Sequence, residues 1–176
     1  MSPSRNRVDL ERARRAYEAG RERRLRTGGK VTLRATAKLI ENTYLEGRIG
    51  KYHFASDEPP ERGGDERAAS PLEHFLMGAA FCFLSQVAQF APLYKVEIED
   101  ADVDLRVEFD DAEKHGLPGP GAAFSSVVYR IKIKSPSPAE QVEKLVAHAE
   151  RGCHTAQSLR AAVPVSVESE ITTPDS

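Results

Sequence analysis

Only two cysteines, Cys82 and Cys153, occur in the 176 residues. A disulfide scaffold is thereby excluded, which leaves the pair either for redox or nucleophilic work or for burial as small hydrophobes. No apolar run approaches the roughly 18 residues of a membrane helix, so a spanning segment is not expected. The first residues, MSPSRNRVDL, lack the apolar core of a secretory signal, and the cytoplasm is the expected location. Metal spacings such as CxxC and HExxH are missing. A site built from Cys82, Cys153, His148 or His154 would need the adjacent Cys153 and His154 to ligate one ion together, which is awkward, so neither metal nor cofactor is expected. A GxSxG elbow and a Gly-rich phosphate loop are also missing, which argues against serine hydrolysis and phosphate binding.

What is present describes an ordinary globular chain, with 40% hydrophobic and 30% charged residues and a length that suits one domain. The net charge of -2 hides an uneven distribution. Residues 1–30 hold Arg5, Arg7, Arg12, Arg14, Arg15, Arg21, Arg23, Arg24, Arg26 and Lys30 against Asp9, Glu11, Glu18 and Glu22. We read this as a basic helical extension, 1–30, preceding the main domain, 31–176. Its Arg residues alternate with Glu and Ala as on a solvated or partner-packed helix. The absence of aromatic interleaving argues against nucleic acid.

Along the chain, Asp9 is placed to cap a helix from about Leu10 to Leu25, an appendage with a weak apolar stripe. Alternation predicts a strand over Val31 to Glu41 and a second extended region broken at Gly47 and Gly50. DEPPERGGDERAAS, residues 57–70, has no apolar period and predicts a long loop. Ser70-Pro71-Leu72-Glu73 reads as a capping box opening a helix to about Ala91, apolar on nearly every side between Phe75 and Leu84. Strands are predicted over Tyr94 to Phe109 and Phe124 to Lys134. A second capping box at Ser137-Pro138-Ala139-Glu140 predicts an amphipathic helix to about Gly152. A short turn or helix follows, and Val163 to Ile171 predicts a last strand. The order implies an α+β fold.

Cys82 falls on the apolar helix. A thiol acts as a nucleophile only when ionised, and burial opposes ionisation, so a reactive Cys82 needs a nearby Arg or a set of hydrogen-bond donors. Without them it is an inert core residue.

DEPPERGG, SPLEHFLMGAAFCF and, some 70 residues on, AERGCHTAQSLRAAVPVSVE together resemble the osmotically inducible protein C and organic hydroperoxide resistance (OsmC/Ohr) family, over about Val31 to Glu170. The anchors are a Pro-containing helix start eleven residues before Cys82 and a second Cys followed by a polar turn, Leu159 and a V-P-V strand entry. The resemblance implies antiparallel sheets around two central helices, in an intertwined homodimer with sites at the subunit interface. It also implies reduction of organic hydroperoxides: Cys82 becomes a sulfenic acid, Cys153 resolves it as a disulfide, and a dithiol or lipoyl reductant restores the thiols. Arg62, nine residues before the helix proline, matches the family's activating arginine, with Arg67 and Arg48 as alternatives. Where family peroxidases carry a carboxylate directly after that proline, this chain has Leu72. Glu73, one residue later and turned by about 100°, is either a partner of that Arg or simply the helix cap. His154 stands where a Pro often follows the second Cys, and either tunes that thiol or caps the turn. The rival reading is a family member that binds an apolar small molecule or a thiol without peroxidase activity.

Overall fold

The computed structural model describes residues 6–172. The first five residues of the basic extension, Arg5 among them, lie outside the described residues, as do the last four. Asp9 caps helix α1 (Leu10–Thr27) by accepting from the Arg12 amide at 2.9 Å. No residue of α1 is fully buried, yet the segment is tied to the body. The Asn6 side-chain oxygen accepts from the Ile98 amide, the Arg7 amide donates to the Ile98 carbonyl, and Tyr17 meets Phe90 edge-on at 6.1 Å.

Three strands follow as an antiparallel meander, β1 (Ala35–Glu41), β2 (Tyr44–Ile49) and β3 (Tyr52–Ser56). The first starts four residues later than alternation predicted. Gly47 does not break the chain: it pairs with Ala37 and Phe54 inside β2. Its backbone runs so close to β1 that a Cβ would sit 3.1 Å from the Thr36 carbonyl oxygen, which accounts for the glycine.

The 57–70 segment has few apolar residues but is organised around one carboxylate. Asp57 is 1% exposed. It accepts from the Thr43 hydroxyl, the amides of Glu58, Asp65 and Arg67, and the Arg67 guanidinium, at 2.9 to 3.3 Å. Burial opposes its charge, but these donors prevail and lower its pKa to about 2. The loop winds so tightly that a Cβ at Gly64 would lie 1.8 Å from the Glu58 carbonyl oxygen.

Helix α2 (Pro71–Tyr94) opens on the predicted capping box, with the Ser70 hydroxyl accepting from the Glu73 amide and the Glu73 carboxylate from the Ser70 amide. It runs past Ala91 to Tyr94, so strand β4 (Asp100–Phe109) begins later than expected. β4 pairs with β5 (Phe124–Lys134) in a two-stranded antiparallel sheet. One face of this ribbon sets Asp100, Asp102 and Asp104 opposite Lys134, Lys132 and Arg130; the other sets Val103 opposite Ile131 and Leu105 opposite Tyr129. Helix α3 (Ala139–Gly152) lies on the apolar face beside α2, and the short helix α4 (His154–Arg160) closes the core. The capping box expected at Ser137 is absent. The Ser137 hydroxyl accepts from the Glu97 amide at 2.9 Å instead, and Pro138 takes the N-cap position without a side-chain bond.

Phe83, Val87 and Ala91 of α2, Leu145 and Ala149 of α3, and Val96, Ile98, Cys153 and Ala156 form the core. Much apolar surface stays outside it. Phe81 is 64% exposed, Phe75 and Met77 are exposed on the same helix, and β1 is exposed along its whole length. The expected last strand is corrected as well: residues 161–172 form no strand and pair with none among the described residues, leaving Val165 and Val167 87% and 90% exposed. By length and composition alone α2 is apolar enough to cross a membrane, and 28% of that window is buried in this chain. Here the helix is a packed element of an α+β domain.

Candidate active site

The middle of α2 carries Cys82 half-buried against the core, and the junction of α3 with α4 carries Cys153, fully buried. The two sulfurs, 71 positions apart in sequence, lie 3.5 Å apart as free thiols, with the Cys153 thiol donating to Cys82. Cys153 ends α3 and precedes α4 in an extended conformation (φ -77, ψ 110), which turns the following amides towards the α2 thiol. Thr155 adds a hydroxyl 3.2 Å from the Cys153 sulfur.

This arrangement answers how a partly buried thiol ionises. Burial pushes the Cys82 pKa up, but donors outweigh it and hold the thiol below its ordinary value. They are the Thr155 amide and hydroxyl, the Cys153 thiol and the His154 amide. Those donors come from residues 153–155 rather than from a guanidinium. His154 contributes its backbone N–H while its imidazole is exposed, and Thr155 carried no role in the sequence reading. Its signal was the hydroxyl two residues beyond the second Cys, at the start of a short helix.

Arg62 and Glu73 sit elsewhere in the chain. Arg62 ends a single 3-10 turn, Pro60–Arg62, and pairs with Glu58 at 3.2 Å. The Glu73 carboxyl is held below its ordinary value first by the Ser70 amide and hydroxyl, with help from the charges of His74 and Arg62. Nine residues of helix separate Glu73 from Cys82, about 13 Å along the axis at 1.5 Å per residue. Within one chain, then, the two cysteines meet each other and Arg62 neighbours Glu73, but the two pairs are apart. Arg67 is committed to Asp57 and Glu41 and lies over the Tyr44 ring at 4.1 Å; Arg48 lies on β2 opposite Thr36 and His53. His148 stacks on Phe90 and bonds the Tyr94 hydroxyl. No cluster of three His, Cys, Asp or Glu side chains suited to a metal occurs among the described residues.

A groove of about 1020 Å³ between α2 and β4 is lined by Met77, Phe81, Leu84, Val103 and Leu105, with Glu73 and His74 at one end.

Comparison with known proteins identifies the antiparallel α+β fold that carries these two thiols. The sequence profile of the OsmC-like protein family matches residues 63–168, more than half of the chain, and the chain belongs to that family. Its fold is similar to that of an OsmC-like protein from Mycoplasma pneumoniae (TM-score 0.65, 16% identity, covering 76% of this chain and 91% of that one). It is also similar to an organic hydroperoxide resistance protein OsmC from Legionella pneumophila (TM-score 0.57, 26% identity, 75% and 91% covered). An organic hydroperoxide resistance protein from Elizabethkingia anophelis with bound thiocyanate shares the fold too (TM-score 0.55, 20% identity, 76% and 91% covered). Among curated protein sequences no match is found.

Proposed function

We propose that the protein is a thiol-dependent peroxidase that reduces organic hydroperoxides, with Cys82 as nucleophile and Cys153 as resolving thiol. The observation that carries this reading is the 3.5 Å sulfur contact at a Cys82 held below its ordinary pKa. In the first step the Cys82 thiolate attacks the outer peroxide oxygen. An S–O bond forms, the O–O bond breaks, and the departing alkoxide takes a proton to leave as the alcohol. In the second the Cys153 sulfur attacks the Cys82 sulfenic acid, forming the disulfide and releasing water. A dithiol such as a lipoyl group then returns two electrons by thiol exchange. The hydroperoxide resistance protein from Legionella, at 26% identity, supports the substrate class.

The reading includes a homodimer. The exposed apolar side chains of α2, of β1 and β3, and of the unpaired 161–172 segment leave more uncovered surface than an isolated domain of this size ordinarily shows. A second copy supplies both an apolar sheet face for α2 and a strand edge for the C-terminal segment. It also gives Arg62 and Glu73 a route to a thiol: Glu73 lies about 13 Å along its own helix from Cys82, and with the neighbouring Arg62 it would serve Cys82 of the partner subunit.

The test is consumption of cumene hydroperoxide and hydrogen peroxide with dithiothreitol or dihydrolipoamide, for the wild type and for Cys82→Ser and Cys153→Ser. Turnover of the organic peroxide by the wild type is expected, with none in Cys82→Ser. A single oxidation followed by stalling or over-oxidation is expected in Cys153→Ser. A wild type that consumes neither peroxide with either dithiol would leave the non-catalytic, thiol-binding reading.

A further inference from the structure

The dithiol site contains one polar atom that its surroundings leave unsatisfied. Strand alternation turns Tyr129 of β5 inward, level with Leu105 of β4. Its ring lies 5.2 Å from that of Phe83, the neighbour of Cys82 on α2. Its hydroxyl oxygen is buried and has no hydrogen-bond partner among the described residues. Buried hydroxyls are almost always bonded, and an orphan inside a reactive site calls for a physical account.

Four groups act on the ionisation of that phenol. Burial raises the phenol pKa, negative charge on Cys153 and, less strongly, on Cys82 raises it further, and Thr155 and Arg160 act the other way. Thr155 acts as a nearby hydrogen-bonding group, but its contact with the phenol oxygen falls outside hydrogen-bond geometry, while its hydroxyl lies 3.2 Å from the Cys153 sulfur. Arg160 is paired with Glu150. The phenol therefore stays protonated at neutral pH and can act as a donor. The acceptors within its surroundings are the Thr155 hydroxyl and the two sulfurs, and of the sulfurs Cys153 exerts the larger influence.

We propose that the Tyr129 hydroxyl is a positioning donor for the resolving thiol, unpaired while Cys153 is a neutral thiol and bonded to its sulfur once that thiol ionises. This rests on the peroxidase reading above. The step it assists balances as written: the Cys153 thiolate attacks the sulfur of the Cys82 sulfenic acid, the S–S bond forms as the S–O bond breaks, and hydroxide leaves as water with the proton that Cys153 gave up. A neutral thiol is a poor acceptor, which explains why the phenol finds no partner in the reduced state. A thiolate is a strong one, so the bond is made when the attacking species exists and favours its formation.

The test uses Ellman's reagent, so that it does not depend on peroxide chemistry. Cys82 takes up one aryl thiol in a first phase, and Cys153 then displaces it in a second, each releasing the coloured thiolate. In Tyr129→Phe the first phase is expected to keep its rate while the second slows about tenfold, as for loss of one hydrogen bond to a charged group, and its pH profile moves to higher pH. Because the lost hydroxyl had no partner, the melting temperature is expected to hold or rise, which separates this from a packing defect. A second phase within twofold of wild type, or equal slowing of both phases, overturns the proposal. Fast two-phase release from a wild type that consumes no cumene hydroperoxide would refute the peroxidase reading and leave the role of Tyr129 standing on the second phase.

Discussion

Thr155→Val is the substitution that most sharply tests how Cys82 is ionised. Valine keeps the volume and the backbone amide and removes only the hydroxyl, which lies 3.2 Å from the Cys153 sulfur and helps hold the Cys82 thiol down. A hydrogen bond to a charged group contributes about 1.5 kcal/mol or more, and about 1.4 kcal/mol is a factor of ten in an equilibrium. The Cys82 thiolate fraction at pH 6 should therefore fall about tenfold. The assay is the rate of Cys82 alkylation by iodoacetamide in a Cys153→Ser background, followed from pH 5 to 10. Variant and parent should differ by that factor at low pH and converge at high pH, where both are ionised. Convergence distinguishes lost ionisation from lost access. Rates within twofold at pH 6, or a constant ratio at every pH, would refute the account of the thiolate.

Two further outcomes follow from the same structure. The Asp57 carboxylate, held at about pH 2 by its donors, stabilises the loop above the ordinary carboxylate value of 3.8, and this stabilisation is lost as pH falls towards 2. Asp57→Asn should thus melt several degrees lower than wild type at pH 7 and lose most of that difference by pH 2.5; equal melting temperatures at pH 7 would contradict it. If Arg62 and Glu73 serve Cys82 of the partner subunit, Cys82→Ser and the double variant Arg62→Ala, Glu73→Gln should each be inactive alone and partly active after subunit mixing. A protein that sediments as a monomer at micromolar concentration, or mixing that restores nothing, would remove that arrangement.

Elements fixed by local chemistry were the ones most legible in the sequence. The Ser70–Glu73 capping box needs only its own four residues, and β5 was legible because alternation runs unbroken from Val127 to Lys134. Where a residue had a competing tertiary partner, local reading failed. Ser137 fits a capping box but satisfies the Glu97 amide across the fold. The Val163, Val165, Val167 alternation is that of a strand, but a strand forms only against an adjacent edge, and this segment pairs with none among the described residues. The cysteine pairing was legible through family resemblance and not through spacing, since a separation of 71 positions carries no geometric signal of contact. Thr155 and Tyr129 were passed over because one looked like a turn residue and the other like any inward strand position. Only the fold sets the Thr155 hydroxyl 3.2 Å from the Cys153 sulfur and buries the Tyr129 hydroxyl in the same core.

The central claim is that peroxide converts Cys82 to a species that Cys153 captures. Intact mass spectrometry after one equivalent of cumene hydroperoxide, followed by non-reducing peptide mapping, tests it most directly. The account predicts a protein lighter by two hydrogens with a single cross-linked peptide joining Cys82 to Cys153. An unchanged mass, or the addition of oxygen atoms to Cys82 with no cross-link, would contradict it.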